Sequence, residues 1–177
     1  QYFHLLRRQM HRAVRKPLVV FSPKSLLRAK AAHSTVDELT RGSFAEVLDD
    51  PRSASADRSA VDRVLLCTGK IAHELMAARD AEDLDAAVVR IEQLYPWPED
   101  QVRAVIDSYA NARLVRWVQE EPENMGAWSF VQRRLAGICG PDRTLDHVSR
   151  PESGSPATGS HAIHVQEQNQ VIEGAFG

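Results

Sequence analysis

A chain of 177 residues is long enough for one domain with a well-buried core, and 43% hydrophobic with 26% charged residues is ordinary for a soluble globular protein. No apolar run approaches the ~20 residues that span a bilayer, which argues against a membrane role. Net charge is −2, yet eight basic residues (Arg7, Arg8, Arg12, Arg15, Lys16, Lys24, Arg28 and Lys30) and no acidic one precede Asp37. The remainder carries fourteen basic and twenty-four acidic residues, a balance of −10. Such a separation makes a positive field at one end, suited to a bound anion or to an acidic surface of the same assembly. The opening "QYFHLLRRQMHRAVRK" lacks the Met and apolar core of a signal peptide and reads as cut from something longer. Cys67 and Cys139, both in apolar surroundings, read as buried thiols of a reducing, cytoplasmic compartment rather than a disulfide.

In chain order, Phe3, Leu6, Met10 and Val14 recur at three- to four-residue steps and predict an amphipathic helix over 2–16, stopped by Pro17. "PLVVFSP" reads as a buried strand, "KSLLRAK" as one helical turn, and "TVDELTRG" as a short helix capped by Thr35. "DDPRSASADRSA" is polar and small, an exposed loop. Strands at "VDRVLLCTG", "AAVVRIEQL", "ARLVRWVQEE" and "RTLDHVSRP" then alternate with helices at "KIAHELMAARDAED", "WPEDQVRAVIDSYANA", "NMGAWSFVQRRLAGI" and "SHAIHVQEQNQVIEGAF". Pro98 falls where first-turn prolines are tolerated, and Asn124 is a candidate cap. Strands that are mostly apolar on both faces and separated by helices predict a largely parallel sheet covered on both sides, an α/β fold.

In open α/β sheets, ligands bind beyond the carboxyl ends of the strands. That rule gathers Lys24, Ser25, Lys70, Gln119, Glu120, Glu121 and Arg150 toward one rim. "TGK" at Thr68–Lys70 resembles the tail of a phosphate loop, but Val64 and Ile71 stand where Gly and Ser or Thr are required. It reads better as a helix N-terminus behind a Gly turn, whose amides favour an anion. Glu120, Glu121 and Glu123 lack a neighbouring His or nucleophile, so a structural role near a helix start is preferred to acid–base work. His161 and His164 have a metal-compatible spacing with no third ligand beside them, and no Ser sits in a GxSxG elbow. The sequence assigns neither a catalytic residue nor a metal ligand. The basic segment carries more: Arg8, Arg12, Arg15 and Lys16 lie on or near one helix, and Lys24, Arg28 and Lys30 follow the first strand. Arg forks and Lys ammoniums match phosphate oxygens. A solvated or intersubunit face is the competing reading. Nucleic acid fits poorly, because net charge is negative and aromatic residues do not interleave with the basic ones.

The strings "RRQ…RKPLVVFSPKSLLR", "LLCTGKI", "VVRIEQLYPWP", "QEEPENMGAW" and "SRPESGSPATGS…HVQEQ", in this order, make the chain resemble the C-terminal region of the thiamine-dependent component of 2-oxoglutarate dehydrogenase. The closing "GAFG" and "SPKSLLRAK" are closest to the actinobacterial-type multifunctional enzymes. The resemblance implies a transketolase C-terminal-like three-layer sandwich with a mostly parallel five-stranded sheet and one antiparallel edge strand, spanning residues 1–177 as a single domain. It implies a parent that decarboxylates 2-oxoglutarate on thiamine diphosphate and magnesium and passes a succinyl unit to a lipoyl group. Those cofactors belong to upstream domains, whose "GDG…N" motif is absent here. Implied partners are these upstream domains, a second copy in a homodimer, and the dihydrolipoyl succinyltransferase component. Aromatic residues in "LYPWP" and "MGAW" suit a subunit interface. Acetyl-CoA is an implied effector, with Arg8 and Lys24 as leading phosphate contacts and Ser25, Arg28 and Lys30 behind them. The loop 51–60 and the helix 77–85 match no pattern. Rival readings are the equivalent domain of pyruvate dehydrogenase or transketolase, and a non-enzymatic nucleic-acid module.

Overall fold

The apolar repeat near the N-terminus forms helix α1 (Tyr2–His11), five residues shorter than its spacing predicts. Continuing it would stack Arg8 with Arg12 and crowd Arg15 and Lys16 onto the same end, where like charges repel. Instead Arg12 turns extended, and Arg15 donates to the orphaned carbonyl of Met10 at 3.1 Å. The computed structural model describes residues 1–55 and 57–177; Ala56, within the expected loop, lies outside the described residues. Two compact units result, residues 1–46 and residues 47–177.

In the first unit, 3₁₀ turns at Lys24–Arg28 and Lys30–Ala32 match the expected helical turn. Helix α2 (Val36–Arg41) begins with a complete capping box: Thr35 Oγ1 accepts from the Glu38 amide, and the Glu38 carboxylate accepts from the Thr35 amide. His4 is buried and donates through Nε2 to the Glu38 carbonyl at 2.7 Å, tying α1 to α2. Gly42 is required beside that bond, since a Cβ there would stand 2.4 Å from the Glu38 carbonyl oxygen. The expected strand at 17–23 does not form. Its residues pair with no strand among those described, and Val19 and Phe21 are 74% and 93% exposed. A strand needs a neighbour to take its amides and carbonyls, and none is supplied here.

The second unit holds the sheet. The antiparallel edge strand is β1 (Val47–Leu48), which pairs with β3 (Ala86–Ile91). Strand β2 (Arg63–Cys67) runs parallel to β3 on one side and to β4 (Leu114–Pro122) on the other; β5 (Thr144–Arg150) runs parallel to β4. The order is β1-β3-β2-β4-β5. Val64 and Leu66 turn to one face of β2, Leu65 and Cys67 to the other, and all four are fully buried. Helices α4 (Glu99–Asp107) and α5 (Trp128–Cys139) cover the first face through Val102, Ile106, Val131 and Leu135. Helices α3 (Ile71–Glu82) and α6 (His161–Phe176) cover the second through Ile71, Leu75, Val171 and Ala175. This is the three-layer α/β sandwich with a mostly parallel sheet. Among the described residues no helix is long and apolar enough to cross a membrane.

Boundaries differ from the sequence reading where side chains capture backbone groups. Pro98 is the N-cap of α4 rather than a first-turn residue, and the helix ends early because Tyr109 turns inward and donates to Asp49 at 2.6 Å. Asn124 does not cap α5; its amide exchanges hydrogen bonds with the Ser153 backbone, and Ala127 takes the cap position. Both cysteines are free and buried, and burial pushes the Cys67 thiol up to about 12.

A two-residue edge strand leaves β3 short of partners, and Asp50 completes the pairing. Its Oδ2 accepts from the Val88 amide at 2.6 Å and from the Arg79 guanidinium of α3; its Oδ1 accepts from the Arg52 amide at 2.7 Å. Asp50 and Arg79 are 3% and 1% exposed, so each charge has exchanged water for the other. Removing one partner strands the other in a medium that solvates it poorly. Asp50→Ala is expected to cost about 3–5 kcal/mol in urea unfolding. A loss below about 1 kcal/mol, the range of an exposed pair, would contradict this role.

Candidate functional site

The strand order fixes where a ligand would be sought. From β2 the chain moves through α3 to β3 on one side, then crosses to β4 on the other side of β2. The reversal opens the sheet at the carboxyl ends of β2 and β4, the usual binding crevice of a doubly wound fold.

Three of the predicted rim residues, Lys70, Glu120 and Arg150, converge here. Gly69, at a φ of 71°, turns the chain out of β2, and Lys70 stands at the start of α3, as the "TGK" string suggests. The Lys70 ammonium reaches Glu120 of β4 at 2.6 Å and Glu74 of α3 at 2.5 Å. Gln168 of α6, buried, donates to both carboxylates, at 2.6 Å to Glu74 and 3.0 Å to Glu120. Arg150, at the end of β5, donates to the Glu120 carbonyl, pairs with Glu167 of α6 at 3.3 Å, and donates to the Pro156 carbonyl at 3.2 Å. Burial alone would lower the Lys70 pKa, but hydrogen bonds to Glu120 and Glu74 outweigh it and the net shift is upward. The crevice is filled by the protein's own charges.

Gln119 sets this geometry. Between Val118 and Pro122 the register of β4 against β5 slips, giving a bulge of the kind that re-aims side chains. The Gln119 carboxamide, 2% exposed, accepts from the Trp117 indole and the Trp128 amide, both at 3.0 Å. It donates to the carbonyls of Pro122 at 3.1 Å and Met125 at 2.8 Å. One side chain therefore closes the "EEPENMG" turn and fixes the first residue of α5. Gly126 completes the turn at a φ of 68°, where a Cβ would stand 2.9 Å from the Gln119 amide. Glu121 is exposed, and Glu123 meets His147 at 3.4 Å. Of the two aromatic motifs, only "LYPWP" presents an exposed ring, Tyr95 at 81%. Trp128 of "MGAW" is buried and stacks on His147 at 4.3 Å, because α5 needs it in the core.

Lys24 and Ser25 do not follow a strand, since the expected strand at 17–23 is absent, and the strand-end rule gives them no place on the rim. They belong to the first unit with Arg8, Arg28 and Lys30; all but the half-buried Arg8 are exposed. Arg8 lies over the Phe44 ring at 3.7 Å, and with His4, Arg7, His11 and Gly42 it lines a cavity of about 330 Å³. Helix α1 and the turn after α2 thus give the basic segment a concave surface. A second cavity, of about 250 Å³, lies at the opposite end of the sheet from the rim, beside Val61 and Ala86. Its arginines are committed to carboxylates: Arg58 to Asp49 at 2.6 Å, Arg52 to Asp80 and Asp83 at 3.5 and 3.4 Å.

The residues present do not fit magnesium with a thiamine diphosphate. Among the described residues no three His, Cys, Asp or Glu side chains are grouped to hold a metal ion. Glu74 and Glu120, the carboxylates of the crevice, already face an ammonium and an amide. Replacing Gln119 with Leu would orphan the Trp117 indole N–H and the Trp128 amide, at about 1–3 kcal/mol each. Gln119→Leu is thus expected to lower unfolding free energy by about 3 kcal/mol or more and to shift the near-ultraviolet signal of both tryptophans. An unchanged midpoint and spectrum would show that the hub is not needed.

Comparison with known proteins places this architecture. Residues 33–176 match the family described as 2-oxoglutarate dehydrogenase C-terminal. The chain is 45% identical over 177 residues to the 2-oxoglutarate dehydrogenase E1 component of Cupriavidus necator, covering 99% of this chain and 18% of that protein. It is 44% identical over 180 residues to the E1 component of Azotobacter vinelandii, covering 99% and 19%. Identity to the mitochondrial 2-oxoglutarate dehydrogenase of Caenorhabditis elegans is 44% over 179 residues, covering 99% and 17%. The chain spans less than a fifth of the length of these relatives. It belongs to the 2-oxoglutarate dehydrogenase C-terminal family.

Proposed function

We propose that this chain is the C-terminal regulatory and dimer-forming region of a thiamine diphosphate- and magnesium-dependent 2-oxoglutarate dehydrogenase. The parent carries out oxidative decarboxylation of 2-oxoglutarate and passes a succinyl unit to the lipoyl group of a dihydrolipoyl succinyltransferase component. Cofactor and substrate chemistry are housed in upstream domains of the same polypeptide. The observation that carries this reading is the state of the switch-point crevice. Where a doubly wound sheet would bind a ligand, Lys70 pairs with Glu74 and Glu120, and the Gln168 amide donates to both carboxylates, so both carboxylates and the ammonium are engaged; only the Gln168 side-chain oxygen is buried without a partner. Similarity to E1 components through almost the whole chain supports the choice of parent. The exposed Tyr95 ring favours a subunit contact near "LYPWP".

Acetyl-CoA is the proposed effector, held by Arg8 and Lys24 with Ser25, Arg28 and Lys30 in support. The cavity beside Arg8 and the absence of any acidic residue before Asp37 favour a phosphate-bearing ligand. The test compares the full encoded polypeptide, its Arg8→Ala variant and residues 1–177 alone, each with 2-oxoglutarate, thiamine diphosphate and magnesium. The full polypeptide is expected to turn over and to respond to acetyl-CoA. Arg8→Ala is expected to keep basal turnover and to bind the effector about ten- to a hundredfold more weakly, the roughly 1.5–3 kcal/mol of a charge-assisted contact. Residues 1–177 alone are expected to be inactive. Decarboxylation by residues 1–177 would overturn the assignment, and an unchanged acetyl-CoA response would remove Arg8 from the site.

A further inference from the structure

Three contacts fasten the turn between β4 and α5 to the edge strand β5 and the loop beyond it. The Glu123 amide donates to the Arg150 carbonyl at 2.9 Å, and the Asn124 side chain exchanges hydrogen bonds with the Ser153 backbone. Backbone and carboxamide groups do not titrate, so these two contacts are indifferent to ordinary changes of pH. The third is not. Nε2 of His147 stands 3.4 Å from a carboxylate oxygen of Glu123.

His147 has a second neighbour. Its ring stacks on the Trp128 indole, with centroids 4.3 Å apart and planes 14° from parallel. Leu145 packs on the face that α4 and α5 cover, and His147, two positions on, turns the same way toward Trp117 and Trp128. Trp128 is buried and begins α5, with its amide held by Gln119. Other charges near the ring are engaged elsewhere. Arg116 and Asp146 turn to the opposite face and pair at 2.7 Å, and Arg150 reaches Glu167. On α5, Arg134 lies over the Phe130 ring at 3.9 Å, and Arg133 is exposed more than a turn beyond Trp128. Glu123 is the charge that meets the imidazole from the turn.

A proton on His147 therefore changes two contacts at once. The indole face attracts an imidazolium as a cation over a ring, and Glu123 holds it by a charge-assisted hydrogen bond. A neutral ring keeps the stack and loses both electrostatic gains. Histidine suits such work, because its ordinary charge change falls between about pH 5 and 8.

We infer that His147 is a proton-operated latch on the turn at 123–127. Charged, it draws Glu123 against β5 and steadies the start of α5. Neutral, it lets the turn loosen, and the loop at 151–160 follows through Asn124 and Ser153. The turn comes directly after the strand that carries Glu120, so the latch borders the pair that closes the crevice. It acts on order at the rim, whatever reaction the longer polypeptide performs.

Amide hydrogen exchange of this chain tests the latch, at about pH 6 and about pH 8, with each rate referred to the chemical rate at that pH. Buried β2 amides at 64–67 serve as the internal standard for global stability. Relative to them, wild-type amides at 123–127 are expected to be about tenfold better protected at the lower pH. His147→Gln cannot charge and should show one level of protection at both. Equal wild-type protection at the two pH values would overturn the latch. So would a difference that survives His147→Gln, since His161, His164 or another group would then be the sensor. If His147→Gln also loosens the β2 amides, Glu123→Gln decides instead, at a side chain 49% exposed. It keeps the stack and removes the counter-charge, so the difference should shrink; an undiminished difference would overturn the latch.

Discussion

The ion pair between Lys70 and Glu120 occupies the point on which this fold's chemistry would turn. A doubly wound sheet leaves one opening, where consecutive crossovers diverge, and the fold can use it in two ways. Left open, it binds ligands; closed by internal charges, it becomes a support. Here the ammonium sits between two carboxylates, and a buried carboxamide donates to the same pair. Every charge in the cluster has a partner, which matters because partly desolvated charges lose hydration that neighbours must replace; the buried Gln168 side-chain oxygen alone has none. Arg150 extends the same closure to β5 and α6.

A closed crevice gives the rest of the structure its meaning. The Asp50–Arg79 pair and the Gln119 hub both rigidify ends of the sheet; Asp50 also lines the cavity of about 250 Å³ there, with its carboxylate held by Arg79, Val88 and Arg52. Groups that remain available lie elsewhere: the basic surface of the first unit, the Tyr95 ring, and the uncovered apolar segment at 17–23. Each is suited to contact with another body rather than to turnover.

The second unit was largely legible in sequence because its signals are local. Alternating apolar pairs such as Val64–Leu65–Leu66–Cys67 mark a strand covered on both faces, and "TGK" carries turn chemistry in a few residues. Lys70, Glu120 and Arg150 were placed on one rim by the strand-end rule alone. Glu74 and Gln168 were missed. Nothing in "IAHELM" or "QEQNQ" marks one Glu or Gln as turned to the rim, since a helical register resolves faces but not partners across a sheet. Asp50 was missed for a related reason: within "LDDPR" it looks like a loop residue, and its ladder partner Val88 lies thirty-eight positions away. The strand at "PLVVFSP" was read from composition, which reports the need for a covered environment and not whether this chain provides it.

The direct measurement is a double-mutant cycle on Lys70→Met and Glu120→Gln, with unfolding free energies taken in urea at neutral pH. If the crevice is closed by this pair, the double variant will lose less than the sum of the single losses, with a coupling of about 1–3 kcal/mol. Additive losses would mean that the two side chains do not depend on each other, and the crevice would have to be regarded as open to a ligand.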